Sequence, residues 1–115
     1  MSTATEIMID GRPVKFRASA ATLRLYRAKF NRDLLVDLKV MGDVAQSGEM
    51  PQTATETIER LAWTMAKQAD DSVPDDIMAW LDEYSPLAIF NAMPEIFKLW
   101  GLNTEQISTA KKKSH

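Results

Sequence analysis

Ile58, Leu61, Ala62, Met65, Ala66 and Ala69 recur at spacings of three and four. No strand produces that repeat. It requires a helix with one apolar stripe, and the stripe requires other elements to cover it. The alanines let those elements approach closely. Thr53 and Glu56 fit a capping box at the start of this helix. Asp70-Asp71-Ser72 then reads as a corner. Ser72 is placed to cap a further helix with Pro74 in its first turn and Ile77, Trp80, Leu81 and Tyr84 on its buried face. The stretch Leu61–Leu81 is thus a helix, an acidic corner and a second helix, with Trp63 and Trp80 on its two arms.

The preceding residues supply the cover. Ile7-Met8-Ile9, Asp10-Gly11 and Arg12 to Phe16 spell a β-hairpin whose two-residue turn suits positive φ. In that register Ile9 faces Arg12, Ile7 faces Val14 and Glu6 faces Lys15. Ile7, Ile9, Val14 and Phe16 share one face, which must lie on helices because a lone hairpin is marginal in water. Pro13 falls opposite Met8, where its missing N–H points away from the partner strand. Ser19 caps a first helix, Ala20 to Phe30, ended by Asn31 in a left-handed turn. A short helix, Leu34 to Met41, follows Asp33 and stops at Gly42. Residues 42–52 read as a loop. Ser85-Pro86 opens a fifth segment, and Pro94 kinks it or separates it from a last helix, Glu95 to Trp100. The expected architecture is mainly α. A small N-terminal β-hairpin (about 6–17) packs on a bundle of about five short helices in a single domain, residues 1–101, and a disordered, basic-ended tail covers 102–115.

Composition excludes several chemistries. The 115 residues contain no cysteine and one histidine, His115. A disulfide framework or thiolate metal site is therefore ruled out, and no nucleophile–base set is visible. No cofactor is expected. Asp70, Asp71, Asp75, Asp76, Asp82 and Glu83 lack the alternating ligands and central glycine of a calcium loop, and Asp75 and Asp76 suit a helix's first turn electrostatically. No apolar run is long enough to span a membrane, and the first residues lack the pattern of a secretory signal. Charge is uneven. Residues 1–39 hold eight Lys/Arg against four Asp/Glu, and residues 40–110 hold three against twelve. Arg24, Arg27, Lys29 and Arg32 form a basic helix, but the acidic remainder argues against nucleic-acid binding. The reading is a non-enzymatic protein that works through its surfaces.

Four segments together carry a resemblance: IDGRPVKFRASAATLRLYRAKFNRDLLVDL, IERLAWTMAKQAD, IMAWLDEY and MPEIFKLWGLNTEQISTAKKK. Over about residues 7–113 the chain resembles the small tail assembly chaperones of long-tailed bacteriophages and prophages of Gram-positive hosts. It departs from the family at Asn31, where glycine is expected in the F-G-R-D-L word. The resemblance implies a protein of the host bacterial cytoplasm that is absent from the finished virion. It binds the tape measure protein, keeps it soluble and promotes assembly of tail tube protein. It also implies a longer frameshifted form, and Lys111–Lys113 would fit a slippery codon run. The alternatives are another phage morphogenesis or head–tail adaptor protein, or a small DNA-binding regulator. The spacing of residues, rather than any family motif, nominates Trp63, Tyr84, Phe97 and Trp100 as contacts to a client or to a second copy, with Arg24 and Arg27 as opposing charges. Trp63 is singled out because it lies off the 58–61–62–65 stripe, and its alternative role is packing under the hairpin or a neighbouring helix.

Overall fold

A computed structural model describes residues 4–47 and 52–99. The chain is mainly helical, with an N-terminal antiparallel hairpin packed on the helices.

Strands β1 (Thr5–Ile9) and β2 (Arg12–Phe16) pair in the register expected, Ile9 with Arg12 through Thr5 with Phe16. Asp10 (φ 54°) and Gly11 (φ 75°) both take positive φ, the requirement of a type I′ turn, whose twist matches that of the strands. Ile7, Ile9, Val14 and Phe16 are buried, while Glu6, Met8, Pro13 and Lys15 face outward. The turn is itself anchored. The Asp10 carboxylate accepts hydrogen bonds from the Ser85 N–H (2.7 Å) and hydroxyl (2.8 Å), which hold Asp10 below the usual carboxylate range.

Helix α1 (Ala20–Phe30) starts and stops as its end residues dictate. The Ser19 hydroxyl accepts from the Ala21 N–H, and the Ser19 N–H donates to the Thr22 hydroxyl at 3.0 Å. Asn31 sits in the left-handed region (φ 55°, ψ 41°) and donates its N–H to the Arg27 carbonyl at 2.8 Å. The remaining helices are α2 (Leu34–Ser47), α3 (Gln52–Ala69), α4 (Ile77–Leu81), α5 (Ala88–Asn91) and α6 (Met93–Leu99). Helix α3 is the axis of the fold. It meets β2 and helices α1, α2, α4 and α5. Ile58, Leu61, Ala62, Met65 and Ala66 are buried as the stripe requires. Trp80, Tyr26 and Phe16 are the largest fully buried side chains in this core, each worth roughly 1.5–3 kcal/mol of apolar burial or somewhat more.

Five sequence expectations fail. Ser85 does not cap the fifth segment, because α5 begins at Ala88 after Leu87 and the Ser85 hydroxyl donates to Asp10. Helix α2 runs through Gly42 to Ser47 instead of stopping at Met41. A helical glycine costs only about 1 kcal/mol, and Leu34, Leu38 and Met41 anchor the helix in the core. Helix α3 already includes Gln52 and Thr53, so Thr53 lies inside the helix rather than at its cap. Ser72 does not cap α4. Its N–H and hydroxyl both bond the Asp70 carboxylate (3.0 and 2.7 Å), and Asp76 caps the helix by accepting from the Met78 N–H. Pro94 separates α5 from α6, as one expected option had it, but α6 begins at Met93 rather than Glu95. Pro94 falls in the first turn, where its missing N–H removes no helical bond. The expected tail at 102–115 and part of the loop at 42–52 lie outside the described residues. Among those described, no helix is long and apolar enough to cross a membrane.

Candidate protein-interaction surface

The corner after α3 is held by side chains reaching its backbone. Lys67 Nζ donates to the carbonyls of Asp71 (2.8 Å) and Val73 (2.7 Å). Trp63 Nε1 donates to the Pro74 carbonyl at 2.8 Å, and Lys29 Nζ donates to the Asp75 carbonyl at 2.7 Å. Four carbonyls within residues 71–75 are thereby committed to α3 and α1. A helix capped at Ser72 would need such carbonyls for its own ladder, which explains why α4 begins only at Ile77. Lys67 also pairs with the Asp75 carboxylate at 2.9 Å and holds its pKa down.

Trp63 is therefore accounted for within the fold. It is 6% exposed, meets the Phe30 ring edge-on at 5.6 Å, and lies under the Lys29 ammonium at 5.1 Å. Above it lies an open groove of about 580 Å³ between α1 and the corner, lined by Leu25, Ala28, Lys29, Thr64, Lys67 and Gln68 with Trp63 and Asp71. Its lining is predominantly apolar. Leu25, 43% exposed, forms part of one wall. Arg24 and Arg27, on the same stretch of α1, are exposed.

The other nominated residues go elsewhere. Tyr84 is half-buried in a separate cleft of about 390 Å³ between the hairpin and α4. There it packs edge-on against Trp80 at 5.3 Å and beneath the Arg12 guanidinium at 4.7 Å. Burial raises its phenol pKa. Phe97, 2% exposed, belongs to the core. Trp100 lies outside the described residues. The structure places Trp63 against Lys29 and Phe30 of α1, leaves Arg24 and Arg27 exposed on that helix outside the groove lining, and puts Tyr84 and Phe97 elsewhere.

A buried polar node was not foreseen. Asp37 on α2, 3% exposed, accepts from Tyr26 (2.6 Å) and from both Nε (2.9 Å) and Nη2 (2.8 Å) of Arg32. Arg60 donates to the Tyr26 hydroxyl at 3.0 Å and lies 3.7 Å from Asp37. The Arg32 hydrogen bonds hold Asp37 low despite its burial. Burial, then the bond to Asp37, pushes the Tyr26 phenol up to about 12. The only hint in the sequence was an aspartate at a position whose neighbours three and four residues away, Leu34 and Met41, are core residues. The node joins α1, α2 and α3, and every polar partner is engaged, as a structural cluster requires.

Helix α2 also presents Leu35 (61% exposed), Val36 (57%) and Val40 (40%) on the side away from Leu34, Leu38 and Met41. Its apolar residues surround the helix, a pattern that signals cover on more than one side. Among the described residues, no group of His, Cys, Asp or Glu has the geometry to hold a metal ion. Compared with known proteins, the chain matches no family model, no curated protein sequence and no solved structure.

Proposed function

We infer that the protein is a tail assembly chaperone of a long-tailed phage or prophage, acting without catalysis by holding the tape measure protein and delivering it to assembling tail tube subunits in the host cytoplasm. The family resemblance in the four sequence segments supplies the client. The observation that carries the reading in physical terms is the α1–α3 groove. It has an apolar floor ending on Trp63, an exposed Leu25 on its wall, and the charged groups of Lys29, Lys67 and Asp71 in its lining. An apolar recess rimmed by charge suits the helical face of a long client, because apolar burial provides adhesion and the charges orient it. The corner clamp gives the groove a rigid wall, so a client side chain entering it does not have to order that wall first.

The test is co-expression with the tape measure protein encoded by the same phage or prophage. Partner-dependent solubility and co-purification are expected. Leu25→Asp should reduce co-purification at least tenfold while leaving the melting temperature within a few degrees. An insoluble client with nothing co-purifying sinks the reading and brings the head–tail adaptor alternative forward. Retention of client by Leu25→Asp would keep the chaperone role but move it off this groove.

A further inference from the structure

The two edges of the hairpin are not alike. In a hairpin closed by a two-residue turn, Ile9–Arg12, Ile7–Val14 and Thr5–Phe16 are the hydrogen-bonded pairs, so the backbone groups of Glu6 and Met8 on β1, and of Pro13 and Lys15 on β2, point outward. The β2 edge carries Pro13, which has no N–H to offer, a common protection of edges. The β1 edge carries no proline, and Glu6 is the one charged residue of its outward pair. Among the described residues, no hydrogen bond reaches the outward N–H or C=O of Glu6 or Met8. Both side chains are exposed, Met8 at 60%.

We propose that β1 pairs with β1 of a second copy of this chain, antiparallel about a two-fold axis at Ile7, to give a four-stranded sheet. A second copy offers an edge of the same length with the same outward groups, and charge selects the register. The outward-pointing residues must face one another for the hydrogen bonds to form. An axis at Glu6 sets Glu6 against itself, and an axis at Met8 sets Glu6 against Asp10 of the other copy. Both are like-charge juxtapositions, which destabilise directly opposed cross-strand pairs. An axis at Ile7 sets Glu6 against Met8 of the other copy, twice, with four backbone hydrogen bonds and no like charges opposed. The two Met8 side chains and the two Glu6 side chains become diagonal neighbours across the axis, at a longer separation than a directly opposed pair, and each Glu6 keeps Lys15 on its other side. The interface is isologous and closes on itself, and the Pro13 edges are left outermost, so the sheet stops at four strands. This association uses a different face from the α1–α3 groove and does not depend on the client.

The experiment is mass by light scattering and sedimentation of the full chain over a concentration series, with amide exchange read at Glu6 and Met8. Wild type should move from one-chain to two-chain mass as concentration rises, with exchange at Glu6 and Met8 slowing in step. Met8→Pro removes only an outward N–H, leaves the intrachain pairs intact, and should stay at one-chain mass. Two further variants guard against a folding defect. Met8→Glu, which opposes Glu6 of the other copy, should weaken the dimer roughly tenfold, whereas Met8→Lys should retain or tighten it. A wild type that remains at one-chain mass up to millimolar concentration overturns the proposal. So does a dimer indifferent to both Met8→Pro and Met8→Glu, or one abolished by Leu35→Glu on α2 instead.

Discussion

Helix α3 is gripped differently on its two flanks. The hairpin meets it with Ile7, Ile9, Val14 and Phe16 buried, and one backbone bond, from the Arg17 N–H to the Met65 carbonyl at 3.1 Å. Helices α1 and α2 add to their own apolar contacts a polar node of Asp37, Tyr26 and Arg60, with Arg32 from the turn between them, where position is set by directional bonds. The apolar flank gains stability from area and tolerates small shifts. The polar flank gains little net energy, because desolvating the charges offsets most of their attraction, but it accepts only one arrangement of three helices. The comparison teaches that adhesion and alignment are separate tasks here, given to separate seams.

The largest effect should come from the apolar flank. Phe16→Ala should lower unfolding free energy by about 3–5 kcal/mol in denaturant titrations, since Phe16 is fully buried. A loss below about 1 kcal/mol would mean that the hairpin is peripheral. On the polar flank, Asp37→Ala should cost about 2–3 kcal/mol, because Arg60 loses a partner while Arg32, half-exposed, can turn to water.

The polar flank should also carry a pH signature of its own. Asp37 is held below its ordinary range, so its contribution is complete above about pH 4 and disappears as pH falls through its folded value. The stability gap between wild type and Asp37→Asn should close in that acid window. Tyr26 is raised to about 12, so its contribution is complete below about pH 10 and is lost as pH climbs from there to about 12. Tyr26→Phe should remove that alkaline slope, whereas Phe16→Ala should leave both windows unchanged. If Phe16→Ala alters them, the two seams are not separate. The smallest expected effect is at Asn31→Gly. The residue already holds a left-handed conformation that glycine adopts freely, so stability should move by no more than about 0.5 kcal/mol.

The same division governs what could be read from the sequence. The hairpin register followed from alternation and Asp10-Gly11, and α1 followed from Ser19 and Asn31, because each signal is local. The α3 stripe followed from periodicity. The reading failed where a distant group competes for the backbone. Ser72 is a good cap in isolation, but Lys67, Trp63 and Lys29 hold the carbonyls beyond it. Gly42 is a good stop in isolation, but core contacts along α2 override it. Asp37 gave no local sign of burial, since its partners come from α1, α3 and the turn that carries Arg32. Of the nominated contacts, Arg24 and Arg27 are exposed. Trp63, picked out because it lay off the apolar stripe, proved to be off it for a reason internal to the fold. Leu25 was overlooked because a lone exposed leucine carries no pattern.

The bond between Asp10 and Ser85 joins residues 75 positions apart, and β1 also lies against α6. The hairpin is thus translated long before the helices that receive it. A two-stranded ribbon by itself is barely stable, so during synthesis it must wait with its apolar face and its unblocked edge open to whatever is nearby. Two nascent chains on neighbouring ribosomes would offer each other such an edge before either could fold around its own. Any slowing of translation between α3 and α5 would lengthen that wait and raise the yield of insoluble chain without altering a single native contact.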